Sequence, residues 1–493
     1  MTEAITNNPV TTTQTPKGYA FSALLEEILT VVSLPEDLIR CVFAVALSIK
    51  LNLSPSLWFM LVGVPSSAKT DIVSLLRPLD FVYFLDSMTL NPFASGYKAT
   101  GNNKTYDLLP ELDGKCFVCK DYTTIFSLNE ETTKKLLGEL VSIYDGEFSK
   151  FSPTRGYISY KTSFSHLGCI TPAALNQHHR YLNIIGPRFI FYRIPALSAE
   201  RRQTGFTIAW SPVNRKVALK DLAEKVKSFF DTLLATQPAV FEINDDKSKS
   251  RLEQLSLFMA KSRGIVILQK SSFTDESGKD VTYYDVVDKQ IEEPWRSLGQ
   301  LKSLAVALAL LDGRTSVSDY DLNILQHIVN SSMPAERADA LEYFVDHSDV
   351  TAKDMSDIVG KSVRTCQRLL KELESLGIIT AESGWKVAKH YSLHTDFKFI
   401  QPVPIKSIDT SEFMSHFIPK KPVTEFSDDE LEGVPDLIKT DLEQYPTMTD
   451  MLKQKYLNLA NEIGNESKKR GLHTEALSIQ DQLWIGKNVQ DSS

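Results

Sequence analysis

The sequence predicts an α/β protein built around a mainly parallel sheet. Short apolar runs recur at 59–62, 81–86, 116–119, 167–170 and 189–194. Stretches with apolar residues at helical spacing separate them, the alternation that builds parallel sheets covered by helices. The first run, Phe59-Met60-Leu61-Val62, breaks at Gly63-Val64-Pro65-Ser66-Ser67 and resumes helical spacing after Lys69-Thr70. Strand, loop and helix in that order are the context a phosphate-binding loop requires.

Residues 1–18 are rich in Thr, Asn and Pro and predict no fixed structure. Two helices follow, marked by Leu24, Ile28 and Val31 and then by Leu38, Val42 and Val45, with a break at Leu34-Pro35. In the loop, a run of backbone N–H groups at the helix start would surround a β-phosphate and Lys69 would reach the β- and γ-phosphates. The Thr70 hydroxyl would ligate Mg²⁺. Ala68 stands where the usual G-x4-G-K-[ST] string has its second glycine, a place a Cβ tolerates if the backbone there keeps negative φ. A chance G-x4-A-K-T would read the same way.

The run Cys116–Cys119 ends in Lys120-Asp121. An aspartate at a strand's carboxyl edge, beside the loop-bearing strand, can hold a Mg²⁺ shell or orient a water; a solvated strand-end aspartate reads identically. Residues 131–144 form an amphipathic helix, with Leu136, Leu137, Leu140 and Val141 on one face. Residues 150–161 then read as a hairpin about Ser152-Pro153-Thr154-Arg155-Gly156. Its Lys150, Arg155 and Lys161, with Tyr157 and Tyr160, suit phosphate contact and base stacking, although any solvent-facing hairpin would be polar. Thr171 closes the next strand, where it could touch a γ-phosphate, and Arg188 stands just ahead of the last, at the domain edge.

Residues 242–291 are charged and ambiguous, and KSKSRLEQL reads as a solvated helix face. Trp295-Arg296 opens a helix with a Leu298, Leu301, Ala305 and Leu308 stripe, and Ser318 caps another. From 334 to 397 three helices and two short strands around Ser383-Gly384 read as a winged helix. Its third helix turns Val363, Leu369, Leu370, Leu373 and Leu376 inward and Arg364, Arg368 and Lys371 outward. Such a module reads DNA or contacts protein. Prolines and an acidic DDELEG run mark 398–445 as a linker, and 446–493 predicts a helical tail.

Across 493 residues, 42% apolar content suffices for several cores, and a net charge of −8 leaves nucleic-acid contact to local basic patches. No apolar run approaches the roughly 18 residues of a membrane span, and the amino terminus lacks a signal-peptide pattern, so the expectation is a cytoplasmic protein without a membrane partner. Five cysteines predict free thiols. Cys116 and Cys119, three apart in a strand, face opposite ways and have no second C-x-x-C with which to hold zinc.

The order of GVPSSAKT, the strand to Lys120-Asp121, the hairpin before the third strand and GPRFIFYRIP resembles the AAA+ core of MCM-like helicases, most of all those carried by mobile genetic elements. That family's loop has the form G-x-P-x-x-A-K-[ST], which Ala68 fits. The resemblance implies a core at 19–215, a helical lid at 216–333, ATP and Mg²⁺ as ligands, DNA contact by the hairpin, an arginine finger at Arg188 and a second sensor arginine at Arg296. It also implies a homo-hexamer carrying single-stranded DNA in its channel and duplex at the winged helix, with a loading or primase partner. Two departures stand out. About 60 residues precede the loop, too few for the DNA-encircling tier of cellular members, and Lys120 occupies a place where an acid is expected. Two functions follow: an ATP-driven replicative DNA helicase, or an ATP-switched winged-helix initiator or regulator with weak ATPase.

Overall fold

In the computed structural model the residues described are 21–88, 91–96, 106–177, 186–236, 241, 243–274, 280–382, 389–400 and 469–470. The chain divides into two units, Met1–Gln401 and Pro402–Ser493, and the architecture below belongs to the first. The segment 1–18, almost all of the linker and tail, and the wing tip at Ser383-Gly384 lie outside the described residues.

Helices α1 (Phe21–Leu29) and α2 (Glu36–Ser48) open the fold. Helix α2 is buried from Leu38 to Ser48, as expected of a helix apolar all round. Then come β1 (Trp58–Val62), α3 (Lys69–Ser74), β2 (Val82–Leu85), α4 (Leu109–Leu112), β3 (Cys116–Cys119), α5 (Thr123–Phe126) and α6 (Glu130–Tyr144). A hairpin of β4 (Glu147–Ser152) and β5 (Gly156–Lys161) precedes β6 (Ser165–Ile170), α7 (Pro172–Gln177) and β7 (Phe189–Arg193). Five strands form one parallel sheet in the order β2-β3-β6-β1-β7. The interior strand β1 is buried along its length, whereas β2 at the edge is half-buried, less than its apolar run predicted.

The period-2 alternation of the strands divides the core. Phe59, Leu61, Cys116, Val118 and Cys169 face α1 and α2, and Trp58, Met60, Phe117, Cys119 and Ile170 face α6 and the hairpin. Cys116 and Cys119 therefore lie on opposite faces, and all five cysteines are free and buried. On the second face His166 stacks on Phe117 at 4.5 Å and bonds the Tyr122 hydroxyl. Burial drives its pKa down to about 4.

Beyond the sheet lie α8 (Ala199–Ala209), α9 (Arg215–Thr236), α10 (Asp246–Ser262) and a ribbon of β8 (Ile265–Thr274) against β9 (Asp280–Gln290). The ambiguous 242–291 stretch is thus a helix and a long ribbon. Helix α10 buries Leu252, Leu255, Phe258 and Met259, so the charged KSKSRLEQL segment covers one face of a core helix. Helices α11 (Trp295–Leu311) and α12 (Asp319–Ser332) pack on α10, and Ser318 caps α12 as predicted, with Asp321 completing a reciprocal pair.

The last described domain comprises α13 (Ala335–Asp346), α14 (Ala352–Val359), α15 (Val363–Ser375), β10 (Ile379–Glu382) and β11 (His390–Leu393). Thr351 and Ser362 cap α14 and α15, and Gly360 between them takes the left-handed backbone of a helix end. Antiparallel β10 and β11 form the wing's base. Val363, predicted to point inward, is instead exposed, because it begins α15 and the helix turns Cys366, Leu369, Leu370 and Leu373 into the core.

Candidate functional site

The loop between β1 and α3 folds around the Lys69 ammonium. Its Nζ donates to Gly63 O at 2.6 Å, Val64 O at 2.8 Å and Ser67 Oγ at 3.2 Å, so a cation sits where the loop's backbone converges. Burial lowers the Lys69 pKa, against the field of Cys169 and Asp121. A Cβ at Gly63 would meet Ile194 Cδ1 and Ser67 Oγ at 2.7 Å, so those side chains would have to shift to admit one. Ser66 and Ala68 both adopt positive φ, 62° and 60°. The condition placed on Ala68 therefore fails: the backbone does turn left-handed there, at a cost of about 1 kcal/mol. Helix α3 is also shorter than DIVSLLRPL suggested, giving way after Ser74 to successive turns up to Leu79.

Asp121 does not lie beside the loop-bearing strand, because β6 intervenes between β3 and β1. Its carboxylate accepts from Thr123 N at 2.9 Å and its carbonyl from Thr124 Oγ1, holding the start of α5. Lys120 forms an ion pair with Asp86 at 2.7 Å, a carboxylate at the end of β2 that the sequence did not single out. Thr171 leaves β6 next to the loop, where Gly63 N donates to Ile170 O, and its hydroxyl accepts from Ala174 N at the start of α7. Pro65 and Thr70 are exposed at the same end. Among the described residues no group of three His, Cys, Asp or Glu side chains could hold a metal. Thr70 and Asp121 are the residues that would hold a Mg²⁺ ion if a nucleotide supplied the remaining ligands, and the Asp121 carboxylate already accepts from Thr123 N.

Arg188 and Arg296 occupy the other end of the sheet. Arg188 precedes β7, whose Phe189 pairs with Trp58 at the start of β1. It is 9% exposed, ion-pairs Asp145 at 3.1 Å and lies over the Tyr144 ring. At this edge position Asp145 and Tyr144 of its own chain hold the arginine. Arg296 lines a cleft of about 580 Å³ with Ser56, Trp58, Tyr144, Asp145 and Trp295. Behind it, buried Arg263 bonds Ser297 and Glu292, joining the start of α11 to Phe189 O. Since β1 rises about 3.3 Å per residue, this end is roughly 15 Å from the loop of the same chain.

The hairpin departs most from expectation. Lys150 points inward and donates to Asn91 Oδ1, Ala94 O and Glu139 Oε1. Arg155 grips Asp107 through two contacts of 2.9 Å and Ser95 O at 2.6 Å, while Tyr160 donates to the same carboxylate at 2.5 Å. Burial pushes the Asp107 carboxyl up, but the bonds from Tyr160, Ser95 N and Arg155 outweigh it and hold the pKa below its ordinary value. Two of the three hairpin cations assigned to DNA thus bond Asn91, Ala94, Ser95 and Asp107 instead. Gly156, at φ 77°, makes the turn. The outward face carries Lys161, paired with Glu147, and a cross-strand pair, Phe151 and Tyr157, at 74% and 73% exposure. Phe151 escaped the sequence reading. Its signal was present, since Phe148 and Phe151 are three apart in a strand and cannot both be buried on one face.

In the winged helix, Arg368 is clamped between Glu336 and Glu372, and Lys371 pairs with Glu374 at 3.0 Å. Arg337 closes the network through buried Glu372 at 3.0 Å. Arg364 remains on the exposed face of α15.

The family described as winged helix-turn-helix DNA-binding matches residues 339–380, from within α13 to β10. This module is of the kind that binds DNA. The match does not reach the parallel sheet. No curated protein matches the chain. No helix among the described residues is long and apolar enough to cross a membrane.

Proposed function

We propose that the chain is an ATP-driven DNA motor of the MCM-like AAA+ kind, a helicase that unwinds DNA during replication of a mobile genetic element. One observation carries the reading. Lys69 in its loop and the Arg188–Arg296 pair stand at opposite ends of one sheet, too far apart to serve the same phosphates within one chain. Each chain then carries two half-sites, and head-to-tail packing in a closed ring, a homo-hexamer in this reading, would unite them. ATP would bind with its β- and γ-phosphates at Lys69 and the backbone of Gly63 to Thr70. Bound Mg²⁺ would neutralise developing phosphate charge. Thr171 would lie near the γ-phosphate, and the neighbour's Arg188, released from Asp145, and Arg296 would face the transferred group. DNA would meet the Phe151–Tyr157 face by base stacking, Lys161 by charge, and the winged helix through duplex, with loading or priming left to a partner.

A second reading has its own support. Lys120 stands paired to Asp86 where an acid is expected, and Lys150 and Arg155 are internal. Both favour a weak ATPase that switches a winged-helix DNA-binding module, as an initiator or regulator would. The deciding experiment is ATPase rate with and without single-stranded DNA, read together with assembly mass and strand displacement. Stimulated turnover by a ring that displaces a strand is the expected result; slow, DNA-indifferent turnover by a monomer would favour the switch.

A further inference from the structure

Two exposed apolar patches flank the proposed half-sites, the second sharing Trp295 with the Arg296 cleft. The first is the arm from Leu197 through α8 to the start of α9, where Phe206, Trp210, Val213 and Val217 stand more than half exposed and Trp210 reaches 86%. The arm lies at the loop end of the sheet: Ile194 N bonds Val62 O, Arg215 pairs with Asp71 of α3 at 2.8 Å, and Ser33 bonds Arg201 O. The second patch surrounds the ribbon's base, with Ile265, Ile267, Val287, Ile291 and Trp295 exposed, Trp295 at 71%. It adjoins Arg296 directly in sequence.

An eleven-residue helix is marginal alone in water, and α8 covers little of itself against its own chain. The arm's apolar side chains present on the order of 500 Å², at the upper range for a monomer's largest patch and a large share of the ~800 Å² each partner gives to a standard interface. One patch borders each proposed half-site. A contact that unites the half-sites brings these two surfaces together.

We infer that the Leu197–Val217 arm docks on the ribbon-base patch of a second copy of this chain, head to tail, beside the shared nucleotide. The inference rests on the two-half-site reading and adds the surface that holds the copies together. Such a contact is heterologous, one face meeting a different face.

The test uses full-length chains carrying Phe206→Ser with Trp210→Ser, or Ile267→Ser with Val287→Ser, followed by sedimentation with a non-hydrolysable ATP analogue. Each double variant is expected to raise the concentration needed for assembly by at least about tenfold, because truncating central anchors has effects of that size. Binding of a fluorescent ATP analogue per subunit should stay within about twofold of the parent, which also reports that the chain is folded. Mixing the two variants should restore dimers and nothing larger, since only one pair of intact faces remains. Assembly of either variant at the parent's concentration, or a mixture without dimers, would overturn the docking. A parent that binds nucleotide yet stays monomeric overturns it too, and leaves the Lys69 assignment standing. A Lys69→Ala chain that binds nucleotide as the parent does would sink that assignment, and the assembly result would still decide the arm.

Discussion

Arg155 Nη1 lies 2.9 Å from both carboxylate oxygens of Asp107, a residue 48 positions earlier whose side chain is almost wholly buried. The hairpin's most conspicuous cation is thus a structural clasp for the segment that precedes β3. Arg155→Ala leaves a buried carboxylate short of its partner, and the expected loss is roughly 2–3 kcal/mol. Urea unfolding would measure it. Parental stability with weakened DNA binding would instead return Arg155 to the DNA surface.

The outward aromatic pair behaves oppositely. Replacing Phe151 and Tyr157 by alanine touches no core contact, so stability should hold within about 0.5 kcal/mol. Affinity for single-stranded DNA should fall by about 1–3 kcal/mol per stacked base. Fluorescence anisotropy across a salt titration checks this; an unchanged curve would remove the hairpin from the DNA path.

Lys69→Ala should abolish nucleotide hydrolysis while duplex binding through the winged helix persists. Arg188→Ala chains mixed into active ones should poison them more than in proportion to their fraction, because each site would draw on two chains. Strictly proportional activity would confine Arg188 to its own subunit, where the Asp145 pair already holds it.

His166 sets a pH dependence of stability. Its folded pKa is pushed from 6.5 to about 4 by burial, so the unfolded chain binds the proton more readily between those values. The stability associated with neutral His166 is complete above about pH 6.5 and is lost as pH falls toward 4, a total of about 3 kcal/mol. Replacing His166 by Gln should flatten that part of the thermal-unfolding profile against pH. A variant with the parent's slope would assign the acid sensitivity elsewhere.

Local chemistry made much of this protein legible from sequence. Apolar runs of four to six residues marked the strands of the parallel sheet, Gly156 marked the hairpin turn and Ser318 marked a helix start, because each signal acts within a few residues of itself. The pairing of Cys116 and Cys119 with opposite faces followed from strand period alone. What sequence left undecided depends on partners far along the chain. Lys150 and Arg155 carry the composition of a nucleic-acid surface, yet Asn91, Ala94, Ser95 and Asp107 turn them inward. Asp121 sits one strand farther from Lys69 than the linear order suggests, since β6 inserts between β3 and β1. A different step, from β6 to β7, skips β1, and because the strands are parallel β7 begins at the opposite end, setting Arg188 beside Asp145 and away from the loop. Strand order and side-chain partnership are properties of the closed fold, in which residues tens to hundreds of positions apart compete for the same neighbours, and no local window contains that competition.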